Sequence, residues 1–478
     1  MWLKKLIMSR NNIWIHLTIA LVLVLVAAFA GAVRKWQKSW KPAPQSLSSS
    51  QDRKDGSDDA DETDQQNNKA EILVRFRPGV TQNTIESIAQ RLNDQVEDQI
   101  ESVAGLEVIE DEDGKDAESL VAQYRALPEV EYAELNSEIK LDHEDSGHRH
   151  VHADDEMFSR QWGLFNSGQN GGSAGADISA MRAWAVTKGS DQVVVAVLDS
   201  GVDYTHPDLA NNIWSRPPII TAYRDDDLTP DGPVDDVHGF NLVKDNGDPM
   251  DDNGHGTHCA GIIGAEGGNG IGIAGVNWNV KIMPLKFMDA EGTGTTKDAI
   301  EAINYVIDRK RAGVNVRIIS ASWGSTAKSR ALEDVIRKAY EEGILFVAAA
   351  GNSSSDNDET PHYPSSYNLG NVISVAALNR RDELASFSNY GAKSVHIAAP
   401  GEEILSTWLK NGFEEKKGTS MATPFVAGVA ALVLAQNPKI SIDDLRALLL
   451  KSVDQIPSLK GKVSSGGRIN AAKAVGAQ

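Results

Sequence analysis

Short apolar strands alternate with amphipathic helices between residues 193 and 401, and this alternation limits the possible folds more than any other feature. Two helical patterns, 296–313 and 329–343, separate runs that are rich in β-branched residues. The apolar runs are 193–199, 316–322, 344–352, 371–378 and 395–401. Continuous apolar strands joined by helices indicate a doubly wound, mostly parallel sheet with helices on both faces. The sequence therefore predicts an α/β fold with its ligand site beyond the carboxyl ends of the strands.

The first 33 residues predict export. Basic residues at positions 4, 5 and 10 precede an apolar run, 13–33, that contains no Asp, Glu, Lys or Arg. This order is typical of a secretory signal, but the run is also long enough to span a bilayer. Residues 1–33 are therefore either a signal peptide or a membrane anchor, and we expect the protein to be secreted or held in the cell envelope.

The composition limits the classes of molecule that the protein can bind and the ways in which it can be stabilised. A formal net charge of −20 argues against nucleic acid, because phosphate binding requires a basic surface. The single cysteine, Cys259, excludes an intrachain disulfide, so an exported chain of this kind depends on a large core or a bound metal. We expect a monomer.

Residues 34–154 divide into three parts. The segment 34–69 is polar and acidic, which predicts a disordered linker. Alternating strand and helix patterns over 70–141 predict a β-α-β-α-β order, and hence a small α+β module of the ferredoxin-like class. The polar, histidine-containing segment 142–154 reads as a junction, and the main domain follows at 155–478.

Four polar residues carry candidate chemistry. Asp199 and Asn352 each end a predicted strand, where a site is expected, although Asp and Asn also favour turns. His255 lies between two glycines, which allow close approach of another backbone or a substrate; His258 is an equally good imidazole by composition. Ser420 precedes Pro424 near a predicted helix start, where it is either a helix cap or a nucleophile close to free amides.

Four motifs in order resemble those of the subtilisin-like serine proteases, the subtilases. They are VAVLDSGVDYTHPDL (195–209), NGHGTHCAGIIG (253–264), AAAGN (348–352) and GTSMATPFVAG (418–428). The motif HGTHC, with its single cysteine, resembles the corresponding motif of the thermitase and proteinase K branches. The resemblance extends from about Asp155 to the end of the chain, and the order Asp, His, Ser distinguishes this family from the α/β-hydrolases.

The resemblance implies a serine endopeptidase. Ser420 would attack the peptide carbonyl, His255 would act as general base, and Asp199 would orient the imidazole. The Asn352 carboxamide and the Ser420 backbone N–H would stabilise the oxyanion. Cys259 is expected to be a small buried side chain near the base. The pocket for the residue before the scissile bond would be formed by two segments: Ser322, Trp323, Gly324, Ala349, Ala350 and Gly351.

The resemblance also implies structural calcium and an inhibitory pro-domain. Calcium would be held by Asp155, Asp208, Asn269 and the carbonyls of Glu266, Ile271 and Ile273, since calcium prefers oxygen ligands. In a second acidic loop, Asn246 and Asp248 are candidates, and Lys244 opposes binding there. Residues 70–141 resemble the pro-domain of the family, whose tail would occupy the active cleft until it is cut within 142–154.

Overall fold

The computed structural model describes residues 70–141, 151–152, 155–224 and 234–477, without the side chains of 151, 152, 155 and 156. All of these residues belong to one compact unit. The predicted signal peptide or anchor, 1–33, and the predicted linker, 34–69, lie outside the described residues, as does most of the predicted junction.

Residues 71–135 form a small antiparallel sheet with two helices. In chain order its elements are β1 (Glu71–Phe76), α1 (Gln82–Leu92), β2 (Asp94–Gln99), β3 (Leu106–Asp111), α2 (Ala117–Arg125) and β4 (Val130–Leu135). The strand order is β2-β3-β1-β4, with antiparallel neighbours throughout. This β-α-β-β-α-β arrangement confirms the predicted ferredoxin-like α+β class.

The predicted element order of this small domain lacked one strand. β2 was missed because its sequence, DQVEDQ, is polar, and its inward-facing positions include the acids Asp94 and Asp98. Asp94 is buried because Tyr124 Oη donates to its carboxylate at 3.0 Å and Lys115 Nζ lies 3.3 Å away. A hydrophobic alternation therefore could not reveal this strand.

The main domain contains a nine-stranded sheet of order β18-β19-β15-β14-β13-β11-β7-β9-β8. Its strands are β7 (Gly189–Asp199), β8 (Phe240–Asn241), β9 (Asn279–Lys286), β11 (Val316–Ala321), β13 (Leu345–Ala349), β14 (Val372–Leu378), β15 (Ile397–Pro400), β18 (Val453–Gln455) and β19 (Gly467–Ile469). Every neighbouring pair is parallel except β18 and β19 at the edge. The five strands predicted from the sequence are the contiguous run from β15 to β7.

Helices cover both faces of this sheet. The remaining helices are α3 (Ala180–Trp184), α4 (His255–Gly264), α5 (Thr296–Arg311), α6 (Arg330–Glu341), α7 (Thr419–Gln436), α8 (Ile442–Lys451) and α9 (Ala471–Ala474). Alternate residues of β7 face opposite sides: Val195 and Val197 pack with α4 and α7, whereas Ala196 and Leu198 pack with α5 and α6. The doubly wound α/β class is therefore confirmed.

Two three-stranded sheets complete the fold. One has the order β10-β5-β12, with β5 (Glu138–Leu141) between β10 (Thr293–Thr295) and β12 (Trp323–Gly324). The other has the order β16-β17-β6, built from β6 (Val151–His152), β16 (Ile404–Trp408) and β17 (Gly412–Lys416). The predicted extended segment that follows α2 is thus two strands, β4 and β5, which belong to different sheets.

α7 is the one helix of the described part of the chain that is long and apolar enough to cross a membrane. Its most apolar 18-residue window is 89% buried inside the protein, so it is a core helix. Pro424 lies inside its first turns and the helix begins at Thr419, which agrees with the predicted start near Ser420.

Candidate active site

Asp199, His255 and Ser420 lie at the ends of three elements that meet at the carboxyl edge of the sheet. Asp199 is the last residue of β7, His255 is the first residue of α4, and Ser420 is the second residue of α7. Their side chains are buried. The fold therefore gathers three polar groups that are distant in the sequence, in the place predicted for a site.

The His255 imidazole contacts the Asp199 carboxylate, and the Cys259 thiol lies between the imidazole and the backbone of Ser420. The imidazole Nδ1 lies 2.7 Å from Oδ1 of Asp199. The Cys259 thiol lies 3.9 Å from the same nitrogen and 3.6 Å from the carbonyl oxygen of Ser420. The Ser420 hydroxyl donates to the carbonyl of Ser322 at 3.0 Å, and the Ser322 hydroxyl donates back to the Ser420 carbonyl at 2.9 Å. Because Nδ1 is bound to the carboxylate, any proton transfer to or from the ring would take place at Nε2.

The electrostatics separate the two candidate imidazoles. Burial disfavours charge on His255, but the Asp199 carboxylate outweighs it and holds the pKa of His255 well above its ordinary value. Burial and the neighbouring His255 lower the pKa of His258 to about 3. Burial also raises the pKa of the Cys259 thiol, which makes it a poor source of thiolate. His255 is thus the imidazole that pairs with a carboxylate, whereas Nε2 of His258 lies near the backbone carbonyls of Ile404 and Glu414.

Asp251 fixes the loop before α4, and the sequence analysis gave it no role. Its Oδ1 accepts from the Ser200 hydroxyl and from the Gly254 N–H, each at 2.9 Å, and its Oδ2 accepts from the Thr257 N–H at 2.9 Å. The Ser200 hydroxyl accepts from the Gly256 N–H at 3.0 Å. In the sequence, Asp251 is indicated only by its place just before the histidine motif, and acidic residues are common in loops.

Asn352 is oriented by the start of α7. Its Oδ1 accepts from the backbone N–H of Thr419 at 2.9 Å and from the Thr419 hydroxyl at 3.0 Å. The same hydroxyl accepts from the Gly351 N–H at 3.1 Å. These contacts assign the oxygen end of the amide, so Nδ2 is the end that can donate to a developing oxyanion.

The strand β5 occupies the cleft between the two edge strands beside Ser420. Its Lys140 lies opposite Thr293 of β10 and opposite Gly324 of β12, and its Leu141 lies opposite Trp323, with both pairings antiparallel. Leu141 N also donates to the Gly292 carbonyl at 3.3 Å. The chain's own segment is thus bound as an extended peptide by strand addition on both sides.

Of the predicted pocket residues, Trp323 and Gly324 pair with this strand through their backbones. The Trp323 indole is fully buried, donates from Nε1 to the Leu198 carbonyl at 3.0 Å, and packs against Phe287 and Phe346. The other predicted pocket residues are also buried: Ser322, Gly324, Ala349, Ala350 and Gly351.

The small N-terminal domain caps two helices of the main domain. The Glu134 carboxylate accepts from the backbone N–H groups of Arg330 and Ala331, at 2.9 and 3.0 Å, at the start of α6. At the start of α5, Asn136 Oδ1 accepts from Lys297 N at 2.8 Å. Helix N-termini leave amides without intrahelical partners and favour negative charge, so these contacts stabilise the docked arrangement.

The predicted calcium residues gather around a buried carboxylate. Asp208 Oδ1 accepts from Asn269 Nδ2 and Oδ2 accepts from Ile273 N, each at 2.9 Å. Glu266 N donates to the Asp208 carbonyl at 2.8 Å, and Ile271 N donates to Asn269 Oδ1 at 2.7 Å. The loop thus brings together carboxylate and amide oxygens, which are kinds of ligand that calcium prefers, and each of them accepts a hydrogen bond within the loop.

The two remaining calcium predictions concern Asp155 and the second acidic loop. Asp155 begins a 3₁₀ helix, Asp155–Arg160, and its side chain is outside the description. In the second acidic loop, Asp248 Oδ1 accepts from the Tyr204 hydroxyl at 2.9 Å, and Asn246 Oδ1 accepts from Asp248 N at 3.0 Å. The oxygens of that loop thus take part in internal hydrogen bonds.

Comparisons with known proteins identify the family of two parts of the chain. The sequence model of the Subtilase family matches residues 190–473, which is more than half of the chain. The model described as the Fervidolysin N-terminal prodomain matches residues 56–136. This second match overlaps the small domain that docks on the cleft.

Curated relatives cover the same region. The thermophilic serine proteinase of Bacillus sp. (strain AK1) is 41% identical over 61% of this chain and 64% of its own length. Thermitase of Thermoactinomyces vulgaris is 36% identical over 62% of this chain and 93% of its own length. Subtilisin-like protease 1 of Plasmodium falciparum (isolate 3D7) is 35% identical over 68% of this chain and 48% of its own length. The chain thus spans less than two thirds of the Bacillus and Plasmodium relatives. It belongs to the subtilase family of serine-type endopeptidases and carries a subtilase pro-domain in front of the catalytic domain.

Proposed function

We propose that the chain is an exported serine endopeptidase, made as a zymogen that processes itself. The observation that carries this proposal is the 2.7 Å contact between His255 and Asp199 beside the buried hydroxyl of Ser420. The antiparallel pairing of β5 with β10 and β12 indicates that the cleft beside this hydroxyl takes polypeptide in extended form.

The proposed mechanism is acyl transfer through an ester on Ser420. His255 Nε2 removes the serine proton while the hydroxyl oxygen attacks the carbonyl carbon, and the imidazolium then gives the proton to the leaving amine. Asp199 stabilises the imidazolium and keeps Nδ1 protonated. Water hydrolyses the ester with the same base, which regenerates the free hydroxyl.

Two donors stabilise the negative oxygen of the tetrahedral intermediate. The first is Nδ2 of Asn352, whose amide is held in one orientation by Thr419. The second is the backbone N–H of Ser420 in the first turn of α7, where the helix dipole also favours negative charge.

The pro-domain, residues 70–141, acts as an intramolecular inhibitor. Its last strand, β5, fills the cleft, and Glu134 and Asn136 hold the domain on two helices of the enzyme. A substrate cannot pair with β10 and β12 while β5 does. Activation therefore requires a cut within the junction 142–154, followed by departure of the pro-domain.

Calcium is the proposed structural cofactor. The side chains of Asp155, Asp208 and Asn269 and the carbonyls of Glu266, Ile271 and Ile273 would hold it, and its charge would balance the buried carboxylate. A loop of glycines makes this possible, because a Cβ at Gly272 would lie 2.9 Å from Asp208 Oδ2. Because the single cysteine allows no intrachain disulfide, bound calcium would be another source of stability for the fold.

Two other functions are testable alternatives. A membrane-held processing protease with few substrates would keep residues 13–33 as an anchor, and mass spectrometry of the mature N-terminus decides between anchor and signal. An inactive peptide-binding homologue would bind peptides in the same cleft without cutting them.

The deciding experiment is labelling of the purified, processed protein with a serine-directed phosphonylating probe, followed by peptide mapping. We expect a single label on Ser420, and no label or peptide hydrolysis in Ser420→Ala. Labelling at another residue, or hydrolysis that survives in Ser420→Ala, would contradict the proposal.

A further inference from the structure

Lys286, the last residue of β9, is a buried cation close to the candidate active site. Its side chain is 1% exposed. β9 lies beside β7 in the sheet, and Lys286 is the partner of Asp199 in the parallel register of the two strands. An ammonium group has three N–H donors and no acceptor. The partners of these donors therefore show what the buried charge does.

The three donors of Lys286 reach three different segments of the chain. Nζ lies 3.0 Å from the carbonyl oxygen of Ser200, 2.7 Å from the carbonyl oxygen of Met288 and 2.6 Å from Oδ1 of Asp252. Ser200 follows the end of β7, Met288 precedes β10, and Asp252 belongs to the loop before α4. Each donor thus has an acceptor within the protein, and the ammonium joins the ends of three segments.

The loop before α4 carries the base. The His255 N–H donates to Asn253 Oδ1 at 3.1 Å, and Asn253 Nδ2 donates to the carbonyl of Ala290 at 2.9 Å. Two neighbouring residues of this loop, Asp252 and Asn253, are therefore bound to the segment at and after the end of β9, one through Lys286 and the other through Ala290.

The segment that Lys286 holds at Met288 supports the strand β10. Met288 forms an antiparallel bridge with Gly294, and Asp289 N donates to the Thr293 carbonyl at 2.9 Å. β10 in turn pairs with β5 in the cleft. The position of β10 relative to the loop before α4 thus depends on one buried ammonium group.

We infer that Lys286 is a positioning residue that holds the peptide-binding strand β10 in place relative to the loop that carries His255. In the proposed mechanism, a peptide paired with β10 must present its carbonyl carbon to Ser420 while His255 takes the serine proton. A small misplacement of one group relative to the other costs much of the rate. This inference rests on the proposed endopeptidase function and adds a residue to its site.

The variant Lys286→Met tests this role because it keeps the length of the side chain and removes the three donors. Buried ion pairs contribute little net stability, and apolar replacements are often tolerated. Asp252 is 43% exposed, so water can hydrate its carboxylate when the ammonium is absent. We therefore expect the variant to fold.

The first test measures stability in the absence of activity. In the Ser420→Ala background, Lys286→Met should change the melting temperature by less than about 5 °C. A larger fall would show that Lys286 acts through the stability of the fold, and it would overturn the inference.

The second test compares two substrates of the processed enzyme, acetyl-Ala-Ala-Ala-Leu-p-nitroanilide and acetyl-Leu-p-nitroanilide. Only the longer peptide has residues that can pair with β10, since the pairing of β5 with this strand covers the three residues before Leu141. Rates are expressed per Ser420 that the phosphonylating probe labels, so that inactive protein is not counted.

In Lys286→Met we expect kcat to fall about tenfold, and the ratio of kcat/KM between the longer and the shorter peptide also to fall about tenfold. A loss of general activity alone would leave this ratio unchanged. The matched control is Lys281→Met, near the start of the same strand, where Nζ donates to the Asn211 carbonyl. It should keep the wild-type kcat and the wild-type ratio.

Asp252→Ala removes the bond to the loop before α4 and leaves the two bonds of Lys286 to backbone carbonyls. It should lower kcat about three- to tenfold and keep the wild-type ratio, and it should have no further effect on kcat in Lys286→Met. An unchanged ratio in Lys286→Met would overturn the inference, and so would an equal fall of the ratio in Asp252→Ala. If the wild type neither labels at Ser420 nor hydrolyses the longer peptide, the proposed function fails as well.

Discussion

Asn352 and Thr419 are joined by two hydrogen bonds to one oxygen: the backbone N–H and the hydroxyl of Thr419 both donate to Oδ1 of Asn352, at 2.9 and 3.0 Å. The residue after Thr419 is Ser420, so the amide and the nucleophile are positioned by the same helix start. The amide oxygen is therefore held in place before substrate binds, as the proposed stabilisation of an oxyanion by the other end of the amide requires.

Replacing Asn352 by Ala should lower kcat by about a hundred- to a thousandfold with little change in KM, because the donor acts on the transition state rather than on bound substrate. The magnitude is the one known for the equivalent asparagine in this family. Thr419→Val keeps the shape of the side chain but removes the hydroxyl, which donates to Asn352 Oδ1 and accepts from the Gly351 N–H, so it should lower kcat about tenfold. Steady-state kinetics of the processed variants measure both effects.

The double variant Asn352→Ala with Thr419→Val supplies the control for this first prediction. If Thr419 acts through the amide, the second substitution has no further effect once the amide is gone. Losses that multiply in the double variant would show that Thr419 acts independently of Asn352.

The Asp199–His255 pair predicts the pH dependence. A general base must be neutral to accept a proton, and the pKa of His255 is raised well above its ordinary value, so kcat/KM should rise with pH through an alkaline limb. Asp199→Asn removes the charge that raises the pKa and leaves burial, which lowers it. The limb should then move to lower pH while kcat falls on the order of 10⁴-fold.

A pH series of kcat/KM on the wild type and Asp199→Asn measures the shift. The matched variant Asp203→Asn removes an acid that also follows β7 and has no contact with the imidazole in the described part of the chain, so its limb should stay in place. A limb that moves to higher pH in Asp199→Asn would contradict the assigned electrostatics.

Strands of the fold could be predicted where the pattern of apolar residues alone determines which side chains are buried. The strands β7, β11, β13, β14 and β15 are continuous apolar runs and were all recognised, and they form neighbours in the sheet. β2 could not be recognised because buried acids occupy inward positions, and their burial depends on partners such as Tyr124 that only the tertiary structure supplies. β9 was also missed, since Lys281 and Pro284 interrupt its apolar run.

Residues of the candidate site could be predicted where they lie within recognisable sequence motifs. They could not be predicted where their role depends on contacts that exist only in the folded structure. Asp199, His255 and Ser420 lie in motifs that resemble a known family. Asp251 lies just outside the quoted motifs, and its importance becomes visible only when its contacts with the loop before α4 are known.

The contact of Glu134 with α6 predicts how tightly the pro-domain inhibits. Glu134→Ala removes a carboxylate that accepts from two backbone N–H groups at the helix start. Loss of a helix cap costs about 0.5–2 kcal/mol, so inhibition after the cut should weaken by roughly two- to thirtyfold. The measurement is the lag before full peptidase activity in the self-processing full-length protein.

Glu118→Ala, on the exposed side of α2, is the matched control and should keep the wild-type lag. The length of the lag should fall in Glu134→Ala without any change in the final activity, because the residue departs with the pro-domain. An equal lag in both variants would mean that the cap adds nothing to inhibition.

Calcium at Asp208 predicts a stability effect that is separate from catalysis. In the Ser420→Ala background, which prevents self-digestion, a chelator should lower the melting temperature by roughly 5–10 °C, because saturating ligand contributes about 2.7 kcal/mol at a hundredfold excess over its Kd. Asp208→Asn should lower the melting temperature similarly and make it insensitive to added calcium. The exposed Asp191→Asn should retain the full calcium response. A melting temperature that chelation leaves unchanged in the Ser420→Ala protein would exclude calcium from this loop, and the buried carboxylate would then depend on its hydrogen bonds to Asn269 and Ile273.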